Sequence, residues 1–152
     1  MLVKEIMNKN SVICTEDAPL EKVFELMTKN ETDFISVVES NAHPMPIGTI
    51  TEHDICLHII GKGRNPRGLT AGNVLNTSVV KAAGILSLHE CLNLMKIKSA
   101  DRVFVVDEDG MLCGSISRTE IEKLREQKPS AANRISETPI YSYNAPGINR
   151  IF

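Results

Sequence analysis

Apolar residues recur at Leu20, Val23, Phe24 and Met27, the spacing of one helix face, and the same spacing returns at Leu88, Cys91, Leu92 and Met95. Each run follows a start signal, Asp17 and Pro19 in the first case and Ser87 with Glu90 in the second. Two amphipathic helices are therefore predicted. The period then changes. FISVVE and VFVVDE are short β-branched runs, each followed by a second run, IGTI or CGSI, with Asp109-Gly110 marking the intervening turn in the second case. Both pairs read as β-hairpins. A further helix closes each series: TEHDICLHII, ending at Gly61, and SRTEIEKLREQ, ending before Pro129.

The two series are copies of one unit. Residues 6–38 superimpose on 74–106 without a gap, a shift of 68 positions that carries Leu20 to Leu88. Leu26, Met27, Asp33, Val37 and Val38 likewise meet identical residues at Leu94, Met95, Asp101, Val105 and Val106, and Val12 meets Val80. The first copy then carries two extra residues in SNAHPMPI, after which Gly48-Thr49-Ile50-Thr51 meets Gly114-Ser115-Ile116-Ser117. Each copy is read as strand, helix, strand, strand, helix, an α+β unit. Such a unit, about 60 residues long, buries too little surface to be stable alone, so the copies are expected to pack through their sheets about an internal pseudo-twofold axis. The predicted boundaries are 1–60, a Gly/Pro-rich connector at 61–73, a second unit at 74–126, and a tail at 127–152 without a counterpart in the repeat. In that tail Ile140, Tyr141, Tyr143, Ile148, Ile151 and Phe152 would anchor it to a surface.

Charge and composition narrow the function. With 17 basic and 19 acidic residues in 152 and no long run of either sign, the chain has no footprint for nucleic acid or an anionic membrane. No leader pattern or bilayer-length apolar stretch is evident, so a cytoplasmic location is expected. Cys14, Cys56, Cys91 and Cys113 are irregularly spaced and read as free, buried thiols. Aromatic residues make up only 4% of the chain, so ligand recognition must come from backbone and small polar groups. There is no P-loop and no G-x-S-x-G, and Asp107, Glu108 and Asp109 fall on a solvated turn, so catalysis is not expected. His53, Cys56 and His58 lie close together but lack a fourth ligand, so no metal is expected. Arg64 and Arg67 read as residues of a solvated loop.

The duplicated order of elements, with G-x-I-[TS]-x-x-[DE] opening the last helix of each copy, resembles the CBS domain pair, or Bateman module, over residues 1–126. The resemblance implies two pseudo-symmetric clefts between the copies, binding of AMP, ADP, ATP or S-adenosylmethionine, a homodimer, and regulation of a partner protein whose identity stays open. In one cleft it implies that Asp54 holds ribose, with Thr51 and Thr49 near phosphate. Leu75, Ser78, Val80, Ala100 and Asp101 would enclose the base. The other cleft would use Ser115, Ser117, Thr119 and Glu120, with Met7, Asn10, Val12, Thr32 and Asp33.

The motif residues also have a purely local reading. Thr51 with Asp54, and Ser117 with Glu120, have the spacing of a capping box, which satisfies free N–H groups at a helix start. The same geometry can receive a phosphate at the helix N-terminus. Glu120 stands where the resemblance leads one to expect Asp, so the Asp54 cleft is the better candidate, and Arg102 is the expected anion anchor if the Glu120 cleft is used. The alternative function is a structural or protein-interaction module without nucleotide.

Overall fold

A computed structural model describes residues 1–127. The predicted tail and its aromatic and aliphatic anchors lie outside the described residues. In the first copy α1 (Val3–Ile6) precedes β1 (Ile13–Cys14), α2 (Leu20–Lys29), β2 (Phe34–Val38), β3 (Pro46–Thr51) and α3 (Glu52–Cys56), which runs on into a wider π-helical turn at Leu57–Gly61. The second copy repeats this with α4 (Ala71–Val74), β4 (Lys81–Ala83), α5 (Leu88–Lys98), β5 (Arg102–Val106) and β6 (Leu112–Ser117). The last helix, α6 (Arg118–Gln127), opens a separate compact unit. It buries Ile121.

The start signals of the two main helices act differently. Ser87 Oγ accepts from the Glu90 N–H at 3.1 Å and the Glu90 carboxylate accepts from the Ser87 N–H at 3.1 Å, a complete capping box. Those bonds hold the Glu90 carboxyl below the usual carboxylate range. Asp17, by contrast, does not cap α2; its carboxylate accepts from the Thr15 hydroxyl, and Pro19 stands at the cap position. Both helices stop the same way. Glu31 and Ser99, 68 residues apart, each adopt a left-handed φ of 51°, rare outside glycine. In the second hairpin Asp107 Oδ1 accepts from the N–H groups of Asp109 and Met111 at 2.9 and 3.0 Å, and Gly110 supplies a φ of 82°.

Each copy forms one three-stranded sheet, ordered β1-β2-β3 or β4-β5-β6, with the first pair parallel and the second antiparallel. The central strands are covered on both faces, so they read as nearly continuous apolar runs. Ile35 and Val37 point into a core with Cys14, Leu20, Val23, Met27 and Ile50. Phe34, Ser36 and Val38 alternate onto the opposite face.

The first core is completed by Ala71 and Val74 of α4, a helix that belongs by sequence to the second copy. Backbone bonds fix it there: Ala71 N–H donates to Ala18 O at 2.8 Å, Gly72 N–H to Glu16 O at 2.9 Å, and Leu20 N–H to Leu69 O at 2.9 Å. The reciprocal set lies at the images of these residues. Val3 N–H donates to Leu86 O at 2.8 Å, Lys4 N–H to Gly84 O at 3.0 Å, and Leu88 N–H to Met1 O at 3.3 Å. The two copies therefore exchange their leading helices. This exchange is absent from the sequence reading, which began each unit at a strand and ran the connector through residue 73; four-residue helices carry no periodicity to detect.

The exchanged segments continue onto the free edges of the sheets. Asn76 and Thr49 trade N–H···O bonds of 2.9 and 2.8 Å, and Asn8 and Ser115 trade bonds of 2.8 and 3.1 Å. The approach is so close that a Cβ on Gly48 would lie 2.7 Å from Asn76 O, and one on Gly114 would lie 2.6 Å from Asn8 O. Glycine is required at both positions.

Among the described residues no helix is long and apolar enough to cross a membrane. The expectation of four buried thiols needs correction. Cys14 and Cys91 are buried, but Cys56 and Cys113 are exposed, because Cys56 lies on the outer face of α3 and Cys113 at the edge of its sheet. Burial, helped by nearby Asp17, pushes the Cys14 thiol up to about 11.

Two outcomes are expected. Gly48→Ala or Gly114→Ala will lower stability by about 1–3 kcal/mol in urea unfolding, since backbone must move to admit the methyl group. Iodoacetamide at pH 8 will modify Cys56 and Cys113 before Cys14 and Cys91, as read by peptide mass spectrometry.

Candidate functional site

The edge pairing of Asn76 on Thr49 brings the start of the second copy against the sheet of the first, and a cavity of about 570 Å³ opens beside it. The first copy contributes Phe34, Thr49 and Thr51. The second contributes Asn76, Ser78, Val79 and Val80 from the segment before β4, Lys98 to Asp101 from the end of α5, and Arg102 and Phe104 from β5. The left-handed turn at Ser99 lets the chain reverse from α5 into β5, which sets Ala100 and Asp101 on the wall.

Thr49, Thr51, Ser78, Val80, Ala100, Asp101 and Arg102 thus converge on one cavity. Leu75 does not line it; its side chain packs on the first core, next to Gly48. Asp54, expected to hold ribose, is not among the residues that line the cavity either; it stands in the first turn of α3, tied to Thr51. Its Oδ2 accepts from the Thr51 N–H and the Thr51 hydroxyl, both at 2.9 Å, while Thr51 Oγ1 accepts from the Asp54 N–H at 3.1 Å. The capping box is therefore formed. Both cap bonds that Asp54 accepts run to a single carboxylate oxygen, Oδ2. The same cap recurs at α4, where Asn73 Oδ1 accepts from the Thr70 N–H at 2.8 Å and from the Thr70 hydroxyl at 3.1 Å.

Arg102 was expected to serve the Glu120 cleft, yet it lines the Thr49–Thr51 cavity, its guanidinium 3.6 Å above the centre of the Phe34 ring. Phe34 and Arg102 are images under the shift of 68, so their stack marks the pseudo-twofold axis. Lys98 joins Arg102 as a second cation on the wall, against the single carboxylate of Asp101. Lys98, Asn76, Phe34, Val79, Ser99 and Phe104 were all missed by the sequence reading. Applying the repeat shift to residues on both sides of the motif would have picked out Asn76 and Val79, whose neighbours Ser78 and Val80 were already named.

The residues predicted for the other cleft are more dispersed. Ser115 and Ser117 are buried on β6, Val12 packs on the first core, and Asn10 is exposed before β1. Met7 lies against Gly114 and lines a separate cavity near Cys113. Thr32 and Asp33 line an open cavity of about 460 Å³ with Glu31 and Glu52. Thr119 is exposed and Glu120 half-buried on α6. Arg64 is engaged locally: its Nη1 lies 3.0 Å from His58 Nδ1 and donates to Asn73 O at 3.2 Å. Desolvation, followed by the charges of Lys62 and Arg64, moves the His58 pKa below its ordinary value. Among the described residues no group of three or more His, Cys, Asp or Glu side chains is arranged to hold a metal ion.

Comparison with known proteins places this geometry in context. The CBS domain model matches residues 3–61 and 71–126, which fall on the two structural copies and leave out the intervening connector. An uncharacterized protein of Methanopyrus kandleri is 30% identical over 105 residues, covering 68% of this chain and 54% of its own length. Inosine-5'-monophosphate dehydrogenase of Chlorobaculum parvum is 28% identical over 130 residues, covering 81% of this chain and 24% of its own length. The chain thus spans about half of one curated relative and a quarter of the other. Among solved structures, the CBS domain pair of protein MJ0100 in complex with 5'-methylthioadenosine and S-adenosyl-L-methionine superimposes with a TM-score of 0.71 at 19% identity, covering 84% of this chain and 98% of that one. CBSX2, from Arabidopsis thaliana, in complex with AMP gives a TM-score of 0.65 at 19% identity, covering 83% and 96%. At such identities the likeness is one of fold.

Replacing Thr51 with Ala will remove the N-cap of α3 and cost about 1 kcal/mol in urea unfolding.

Proposed function

The chain belongs to the CBS domain family, and from that premise we propose that it is a regulatory module, not a catalyst, which binds an adenine nucleotide of the AMP, ADP or ATP class in the Thr49–Thr51 cavity. The observation that carries this reading is the cavity itself. Its volume of about 570 Å³ is within the usual range for small-molecule sites, its walls come from both copies, and two cations stand on it against one carboxylate. The cations favour a phosphate over an uncharged nucleoside. Phe34, Phe104, Val79 and Val80 supply the apolar surface for a base, and the hydroxyls of Thr49, Thr51 and Ser78 supply hydrogen bonds. Asp54 contributes through Oδ1, the oxygen left over from its cap, as acceptor for a ribose hydroxyl. The AMP and S-adenosylmethionine complexes of fold relatives support an adenosyl ligand.

A ligand that touches both copies is bound more tightly by one relative arrangement of the two sheets than by others, so it shifts that equilibrium by its differential affinity. A partner protein that reads the arrangement would sense the nucleotide. The apolar groove of Leu20, Phe24, Ile55, Ile59 and Ile60, with Phe24 and Ile60 exposed by 54% and 79%, favours self-association through the helices of the first copy.

The expected result is a saturable rise in melting temperature with one of AMP, ADP or ATP, equivalent to about 2.7 kcal/mol at a hundredfold excess over Kd. Asp54→Asn keeps an acceptor for the cap, as Asn73 does in α4, and will weaken the nucleotide by about tenfold while leaving the apo melting temperature in place. Lys98→Gln will weaken AMP and spare adenosine. No stabilisation by any of the three nucleotides at millimolar concentration would instead favour a module that uses its fold only for protein contacts.

A further inference from the structure

We infer that a cavity at the hairpin end of the second sheet is a binding site for a small organic cation, an amine carried on an apolar body, and that its occupant pins the leading helix α1 to the second copy. The site is independent of the nucleotide cavity.

Its volume is about 620 Å³, no smaller than that of the nucleotide cavity and within the usual range for small-molecule sites. None of its lining residues lines the nucleotide cavity or is the image, under the repeat, of one that does. Three pieces of chain surround it. Lys4 and Met7 come from the exchanged leading segment, Ala83, Gly84 and Ile85 from the end of β4 and the turn after it, and residues 105–109 with Cys113 from the second hairpin.

The difference between the copies accounts for the space. Cys113 replaces Ile47, which packs on the first core, and Gly84 and Ile85 stand where the first copy has Glu16 and Asp17. Val106 is half-buried, whereas its image Val38 is fully buried. Ile85 is 71% exposed at a position that is acidic in the other copy. Met7, Ile85, Val105 and Val106 therefore present apolar surface that a body of matching size would remove from water.

Charge complementarity selects what that body carries. Asp107, Glu108 and Asp109 line the cavity against a single basic side chain, that of Lys4. Asp107 Oδ1 is committed to the hairpin, where it accepts from the N–H groups of Asp109 and Met111, and the exposed carboxylates of Glu108 and Asp109 face an incoming charge. An ammonium is attracted there and an anion repelled. The leading segment is already tied to the second copy by Lys4 N–H to Gly84 O at 3.0 Å and Asn8 N–H to Ser115 O at 2.8 Å. A ligand that touches Met7 on one side and Val105 on the other adds to this docking, so binding and docking favour each other.

Tryptamine, tryptophol and indolepropionate share one shape and differ in charge, and calorimetry with the whole chain at neutral pH tests the site with these three probes. Tryptamine is expected to bind about tenfold more tightly than indolepropionate, with tryptophol between them. Its binding will slow alkylation of Cys113 by iodoacetamide while leaving Cys56 unchanged, and will slow amide exchange at Lys4 and Asn8. Glu108→Gln combined with Asp109→Asn will erase the ranking by charge. Cys113→Ile, which restores the residue of the first copy, will weaken all three probes without lowering the apo melting temperature. The inference is overturned if tryptamine fails to bind at millimolar concentration or binds no better than indolepropionate, if it protects Cys56 as much as Cys113, or if the double variant keeps the ranking.

Discussion

The structure depends on the exchange of two short leading segments. Ala71 and Val74 close the core of the first copy, while Val3 and its neighbours dock on the second, and each docking is held by the same three backbone bonds at positions 68 apart. Neither segment is a strong helix former; four residues cannot repay the cost of nucleating a helix in water. They fold because the other copy supplies a partner for their N–H groups and an apolar wall for their side chains. The clefts follow from that arrangement. Once Asn76 is laid on the edge of β3, the segment running to Val80 must pass over the sheet that carries Thr49 and Thr51, and the space between them becomes a site. Gly48 and Gly114 are the steric condition for this, since they let two backbones meet where any side chain would hold them apart.

Backbone symmetry coexists with side-chain asymmetry. The positive φ at Glu31 recurs at Ser99, and the register shift at Val37/Val38 recurs at Val105/Val106. Along the wall of the cavity the images diverge: Lys98 corresponds to Asn30, Phe104 to Ser36, and Arg102 to Phe34. That last pair meets on the axis, where a residue and its own image are neighbours. Only there can one substitution change both clefts, and there an aromatic ring and a guanidinium form a stack that two identical residues could not form.

Most of the fold was legible in the sequence because it resides in long periodic runs and in a repeat. The runs at Leu20–Met27 and Leu88–Met95 gave both main helices, and Asp109-Gly110 gave its turn. The exchange of α1 and α4 was illegible because its signal lies in backbone hydrogen bonds between distant segments. The site was legible in part. Thr49, Thr51, Ser78, Val80, Ala100 and Asp101, named from the family resemblance, line one cavity, while Asp54 and Leu75, named with them, do not. Lys98 was missed because a lysine in the last turn of a helix has an adequate local explanation in the helix dipole.

The reciprocal docking of the leading helices has an evolutionary corollary. A single ancestral copy carrying its own leader would leave that leader undocked and its own core open, and two such copies could repair both defects by trading leaders across a true twofold axis. The tandem chain is in effect that dimer written into one polypeptide, with the Gly/Pro-rich stretch between the copies converting a concentration-dependent association into an intramolecular one. Within one chain the two halves need not be identical, and their side chains do differ at paired positions such as Phe34 and Arg102.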